Sequence, residues 1–283
     1  MQDFKISEPP TDEVKGRLRP PDEAQHIDGV SVGDSIARKF RIPRGFDGAY
    51  LKGGLEVLGL GHHYHDAWWR RTARKNPTLT PWNYENQAIF VHIPKTAGLS
   101  IYTAFDMPMP HDTHAPVAAY QAADLNLFRN AFVFAVIRNP WDRLVSAFHY
   151  LKFQPAAAED QRWDHDILWS QRYLSGIDTF RDFLQALRIP KFRRLVVTWR
   201  HFIPQHYFIT EARTGITVKN LIRFEDLEHG LADVAAKIGL GIEIERRNAS
   251  WRAIYQTYYN DDDRQFVAGL YAKDIALFGY TFE

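Results

Sequence analysis

Residues 90–101, Phe-Val-His-Ile-Pro-Lys-Thr-Ala-Gly-Leu-Ser-Ile, decide the fold. They overlap a short apolar run, Ala88 to Ile93, with the length and composition of a buried strand. Pro94 to Gly98 reads as a turn, and Ser100 to Phe105 as the first turns of a helix. Strand, tight turn and helix start in that order make a phosphate loop. The N–H groups at the helix start point at a bound anion, and the helix dipole favours negative charge there. Lys95 adds a mobile positive charge, Thr96 and Ser100 add hydroxyl donors, and Gly98 lets the backbone approach closely. The set suits a phosphosulfate or a polyphosphate. A nucleoside-triphosphate loop would place its Lys and hydroxyl after the second glycine of G-x-x-x-x-G-K-[ST]. Here Lys95 and Thr96 precede Gly98, and the first glycine is missing. A plain strand–turn–helix corner, with Lys95 a surface charge, accounts for fewer of these features.

Downstream, Ala131-Phe-Val-Phe-Ala-Val-Ile137 is a second strand, followed by Arg138-Asn-Pro and an amphipathic helix from Trp141 to Leu151. Arg138 ends the strand, where it cannot hold a metal ion but can pair with a phosphate in bidentate fashion. Pro140 opens the helix, with Asn139 as its cap. Ser146, eight residues after Arg138, converges with it on one phosphate. Arg143 reads as an anion contact or, equally, as a structural ion pair with Asp142 or a loop carboxylate. Trp141, Leu144, Val145 and Phe148 fall on one helix face and read as packing. Asn220 to Phe224 is a third strand, leading through Glu225 and Asp226 into a helix that runs to about Gly239. A helix is expected around Thr179 to Leu187, and the C-terminal stretch from Trp251 to Ala276 reads as helical. Strands alternating with helices imply a parallel sheet covered on both faces, with ligands at the carboxyl ends of the strands.

The composition bounds the rest. The 283 residues, 45% hydrophobic and 14% aromatic, suffice for a packed α/β domain and exclude wholesale disorder. A net charge of +1, from 35 basic and 34 acidic residues, gives no support to nucleic-acid binding, so any anion site is local. The absence of cysteine removes disulfides, thiolate metal sites and thiol nucleophiles. No membrane-length apolar run and no signal-like start are visible, so the expectation is a cytoplasmic protein, with peripheral membrane contact and homo-oligomerisation left open. Residues 1 to about 30 read as an extended arm rich in Pro and charge, and 31–85 as a loop-rich extension. The division expected is therefore 1–85 and 86–283.

Two loops in this order resemble the PAPS-dependent carbohydrate sulfotransferases, PAPS being 3′-phosphoadenosine-5′-phosphosulfate. HIPKTAGLSI at 92–101 resembles their 5′-phosphosulfate loop, and VIRNPWDRLVSAF at 136–148 their 3′-phosphate segment. IRFEDL at 222–227 and the ending at 248–280 are similar to later segments of the same family. The resemblance covers about residues 87–280 and implies a three-layer α/β/α fold with a central parallel sheet, related to the P-loop nucleotide kinases. It implies that Lys95, Thr96, Ala97, Gly98, Leu99 and Ser100 hold the phosphosulfate, and that Arg138 and Ser146 hold the 3′-phosphate. Arg247 and Ser250 fall where the family has a basic loop over the nucleotide. The donor is then PAPS, the product PAP, no metal is required, and the acceptor is a hydroxyl of a carbohydrate or glycolipid. An ATP-dependent kinase with a P-loop and a non-catalytic binder of nucleotides or polyanions are the rival readings.

Sulfuryl transfer to an alcohol needs a base for the hydroxyl proton, and histidine suits that near neutral pH. His114, on the segment between the two phosphate sites, resembles the family's base. His111 on the same loop is the alternative, and Lys95 is expected to offset charge on the departing phosphate. His92, inside the first strand, reads as a packed residue. Gly61-His-His-Tyr-His65 has no recognised metal spacing and reads as a solvated or substrate-facing loop. Trp68, Trp69 and Arg70 to Lys75, and separately Lys191 to Arg200, read either as substrate grips or as solvated charge.

Overall fold

A computed structural model of the chain describes residues 54–56, 58–73, 78–110, 112–153, 164–215, 217–242 and 254–283. Strands β1 (Ala88–Val91), β2 (Phe132–Ile137) and β3 (Asn220–Arg223) form a parallel sheet in the order β1-β2-β3. Ala88 pairs with Phe132, and Phe134 with Asn220, so the carboxyl ends of the strands lie together on one edge. Before β2 run helices α1 (Gly61–Ala73), α2 (Pro81–Glu85), α3 (Gly98–Ala104), α4 (Val117–Ala123) and α5 (Leu125–Asn130). Between β2 and β3 run α6 (Pro140–Phe153), α7 (Asp164–Tyr173), α8 (Phe180–Leu187), α9 (Pro190–Val196) and α10 (His206–Ile209). After β3 come α11 (Leu227–Ile238), α12 (Asp261–Leu270) and α13 (Ala272–Phe278).

The pleat explains why β1 and β2 are apolar throughout. Ile89, Val91, Ala135 and Ile137 face one core, with Trp69 of α1, Val117 and Tyr120 of α4, and Phe208 of α10. Ala88, Phe90, Phe134 and Val136 face the other, with Ile101 of α3 and Leu231 and Val234 of α11. These residues of β1 and β2 therefore bury their side chains against helices whichever way they point, as a parallel sheet favours, while Asn220 and Arg223 of β3 are exposed. A third, all-helical core built on Phe148, Phe183, Phe192 and Phe202 joins α6 to α8, α9 and α12. Trp141, Leu144, Val145 and Phe148 of α6 are all buried in it, the packing face read from their spacing.

Two segments differ from the sequence reading. Residues 61–73 form a helix, where a loop-rich stretch was expected. Its buried positions His62, Asp66, Trp69 and Ala73 fall at helical spacing, but two of the four are polar, which hides the stripe from a hydropathy reading. The C-terminal stretch breaks into two helices. Tyr271 lies between them, and before them Tyr255–Tyr258 is a single 3₁₀ turn. Asn260 caps α12 through Oδ1, which accepts from Asp263 N at 2.8 Å.

Candidate active site

The loop after β1 turns sharply enough to place two non-glycine residues, Lys95 (φ 72°) and Ala97 (φ 63°), in the left-handed region. Such conformations cost free energy and persist where surrounding structure enforces them, most often at functional sites. The enforcing contacts come from α6. Arg143, 2% exposed, donates from Nε to the Pro94 carbonyl at 2.9 Å and from Nη1 to the Ile203 carbonyl at 3.0 Å. The reading of Arg143 as an anion contact or an ion pair is thereby corrected. It is a buried staple between two loops, and the carboxylate beside it, Asp142, pairs with Arg138. The Thr96 hydroxyl, expected to face the anion, donates to the Ile93 carbonyl at 2.8 Å and closes the turn from inside.

Arg138 occupies the centre. Its Nη1 donates to the Lys95 carbonyl at 2.9 Å and to Ser146 Oγ at 3.2 Å, while Nε donates to Asp142 Oδ2 at 2.7 Å. The guanidinium lies 4.0 Å over the Phe224 ring, just past the end of β3. One side chain thus joins the edges of all three strands, and Arg138 and Ser146 converge as their spacing predicts. Asp142, Ser146 and Tyr150 follow at four-residue intervals on α6 and floor the site. Lys95 Nζ rests 3.7 Å above the Tyr150 ring. Asn139 Oδ1 accepts from Trp141 N at 3.1 Å, confirming the cap at the start of α6.

Above Lys95 stand three imidazoles. His92 and His114 lie 4.5 Å apart between ring centroids, and His201 meets His114 edge-on at 5.9 Å. His92 is buried and packed, as read from its place at the end of the strand run. Burial, with the neighbouring His201 and Lys95 charges, pushes its pKa down to about 3. Burial likewise holds His114 well below the ordinary histidine value, reinforced by His92, His201, Arg200 and Lys95. Both rings are neutral at pH 7. Leu99 is exposed at the start of α3, and Ser100 is half-buried in its first turn. His111, Arg247 and Ser250 lie outside the described residues, as do the arm at 1–30 and Arg74 and Lys75.

The histidine-rich segment 61–65 belongs to α1. His62 is buried, and its Nε2 lies 2.7 Å from the Thr210 carbonyl. Arg70 bonds Gln121 Oε1 at 2.9 Å and pairs with Glu211 at 3.1 Å, which makes it an interhelix tie. Among the described residues no group of His, Cys, Asp or Glu is arranged to hold a metal ion, and no helix is long and apolar enough to cross a membrane. Residues invisible to sequence reasoning include Tyr150, Asp166, His201 and Gln205, which reach the site from other elements.

The α/β fold places a cationic loop and a strand-end arginine at the carboxyl ends of a parallel sheet, where such folds bind ligands. The profile of the sulfotransferase family matches residues 83–281, and the chain belongs to that family. No curated protein and no solved structure matched the chain.

Proposed function

We propose that the protein transfers a sulfuryl group from PAPS to a hydroxyl of a carbohydrate or glycoconjugate, in a site of the P-loop nucleotide-kinase type. The observation that carries the reading is Arg138, whose Nη1 lies between Ser146 Oγ and the carbonyl of Lys95 in a chain of the sulfotransferase family. A guanidinium held this way presents a planar, permanent charge to the 3′-phosphate, with Ser146 beside it. Lys95, on a loop whose backbone is already bent at Lys95 itself and at Ala97, supplies the cation that offsets charge on the phosphate released as the sulfur–oxygen bond breaks. His114 is the group proposed to take the acceptor's proton. Its neutrality supports that role, because only an unprotonated imidazole can act as base. The carbohydrate acceptor rests on the likeness of segments 92–101 and 136–148 to carbohydrate sulfotransferases.

Calorimetric titration with PAP tests the reading, with ATP and Mg²⁺ as the competing ligand. Wild-type protein is expected to bind PAP and to prefer it to ATP–Mg²⁺. Arg138→Ala should lose about 10- to 10²-fold in PAP affinity, the ~1.5–3 kcal/mol typical of a hydrogen bond to a charged group. Preference for ATP–Mg²⁺, or no nucleotide binding at all, would overturn it in favour of a kinase or a binding protein without turnover.

A further inference from the structure

Of the three clustered imidazoles, one has a carboxylate partner. His201 Nε2 lies 2.8 Å from Asp166 Oδ2. Asp166, on α7, is 1% exposed, and its carboxylate also accepts from Arg200 Nε at 3.1 Å and from the Tyr150 hydroxyl at 3.3 Å. Burial alone would push the Asp166 pKa up, but the His201 hydrogen bond and the Arg200 charge bring it below the ordinary value, so it is ionised. An ionised carboxylate only accepts, so the imidazole nitrogen facing it carries the hydrogen. The lone pair of the neutral ring then sits on Nδ1, which is buried and has no hydrogen-bond partner.

The ring that carries that lone pair borders the candidate site. The His201 ring packs 4.9 Å from Tyr150, whose face carries the Lys95 ammonium, and it meets His114 edge-on. A purely structural tie between α7 and the 199–203 turn would need Nε2 alone and would gain nothing from an unsatisfied Nδ1. No carboxylate pairs with His92 or His114 among the described residues. The groups that face His114 are His92, His201, Arg200 and Lys95, and each opposes positive charge on it. Burial lowers His201 to about 4, and Lys95 and Arg200 act the same way, but His201 alone of the three has a carboxylate, Asp166, that opposes the shift.

We infer that Asp166 and His201 form the proton-accepting pair of the transfer step, working behind His114; this rests on the sulfuryl-transfer reading above. As the acceptor oxygen bonds to sulfur, the bond from sulfur to the bridging oxygen breaks and its electron pair leaves on the phosphate. The hydroxyl proton passes to His114, and, as the two rings close from their 5.9 Å centroid separation, a proton passes from His114 to His201 Nδ1. The imidazolium formed there lies against the Asp166 carboxylate. Asp166 is a positioning residue, fixing the tautomer and holding the charge.

The test compares wild type with Asp166→Asn and His201→Gln in three measurements. They are calorimetry with PAP, hydrolysis of PAPS to PAP and sulfate with water as acceptor, and the imidazole ¹⁵N spectrum. Both variants should bind PAP with wild-type affinity while kcat falls about 10²-fold or more. The acid limb of the Asp166→Asn profile should move to lower pH, because the carboxylate that raises the His201 pKa is gone. The wild-type spectrum should show His201 protonated on Nε2. Wild-type hydrolysis with an unmoved pH limb in Asp166→Asn, or a proton on Nδ1 of the neutral ring, overturns the inference. Should a variant fail to fold, or water not serve as acceptor, the wild-type tautomer decides. Failure of wild type to bind PAP overturns the sulfotransferase reading itself, whereas PAP binding with an inert Asp166→Asn substitution overturns this inference alone.

Discussion

At Gly98 an added Cβ would fall inside the imidazole of His92, closest to Nε2. The ring has little room to yield, since it stacks on Phe90 at 5.5 Å and packs against His114 at 4.5 Å. The glycine is therefore set by contact rather than by its own backbone angle, while the left-handed positions of the loop fall on Lys95 and Ala97 beside it. Gly98→Ala must push the start of α3 away from β1 and with it the amides of the loop. Overpacking of this kind costs about 1–3 kcal/mol. The expected outcome is a lower melting temperature together with weaker PAP binding, measured by thermal unfolding and calorimetry. Undiminished PAP affinity in Gly98→Ala would mean that the loop does not hold the nucleotide.

At the scale of elements, the strand-end arginine is positioned by a part of the chain far from it in sequence. Gln205 Oε1 accepts from Arg138 N at 2.9 Å and Gln205 Nε2 donates to Arg138 O at 2.8 Å, a side chain bonding as a neighbouring strand would. Asp274 of α13 then fixes that segment, accepting from Gln205 N at 2.6 Å, His206 N at 3.0 Å and His206 Nδ1 at 2.6 Å. If the clamp serves the nucleotide through Arg138, Gln205→Ala weakens PAP binding in wild type and adds nothing in Arg138→Ala. The coupling in such a cycle should reach about 1 kcal/mol, and strictly additive losses would show that Gln205 merely packs. This arrangement also marks what the sequence displays. The strand runs, the Lys95 loop and the Arg138–Ser146 pair are legible because each is local: an apolar run, a turn, two residues returning to one helix face. Gln205, Asp166, His201 and Asp274 carry no local signature, since what places them is tertiary contact, across 35 residues for Asp166 with His201 and 69 for Gln205 with Asp274. Helix α1 escaped for a different reason, its buried stripe being half polar.

Across the whole molecule, acid should act through histidines that the fold keeps neutral. Burial lowers His62 to about 4, partly opposed by Asp66, and lowers His201 to about 4 against the pull of Asp166. Burial lowers His92 to about 3, and His114 shifts the same way. These rings lie in two separate places, the junction of α1 with α10 and the candidate site beside Lys95. In the unfolded chain each titrates near 6.5. Below that pH the unfolded state binds protons that the folded state refuses, so stability is full above about 6.5 and declines as pH falls toward 4 and 3. Each histidine steepens the decline by up to about 1.4 kcal/mol per pH unit. Asp166, whose pKa is depressed, adds its own loss only at the acid end of this window. The melting temperature should therefore drop steadily between pH 7 and 5, before most surface carboxylates titrate. His62→Gln, which keeps a donor for the Thr210 carbonyl but has no proton to gain, should flatten that slope while leaving PAP affinity at its wild-type value. A melting temperature constant from pH 7 to 5 would show that the buried imidazoles find water or counter-charge as they protonate. A flattened slope in His62→Gln would place part of the molecule's acid sensitivity in the α1 junction, outside the candidate site.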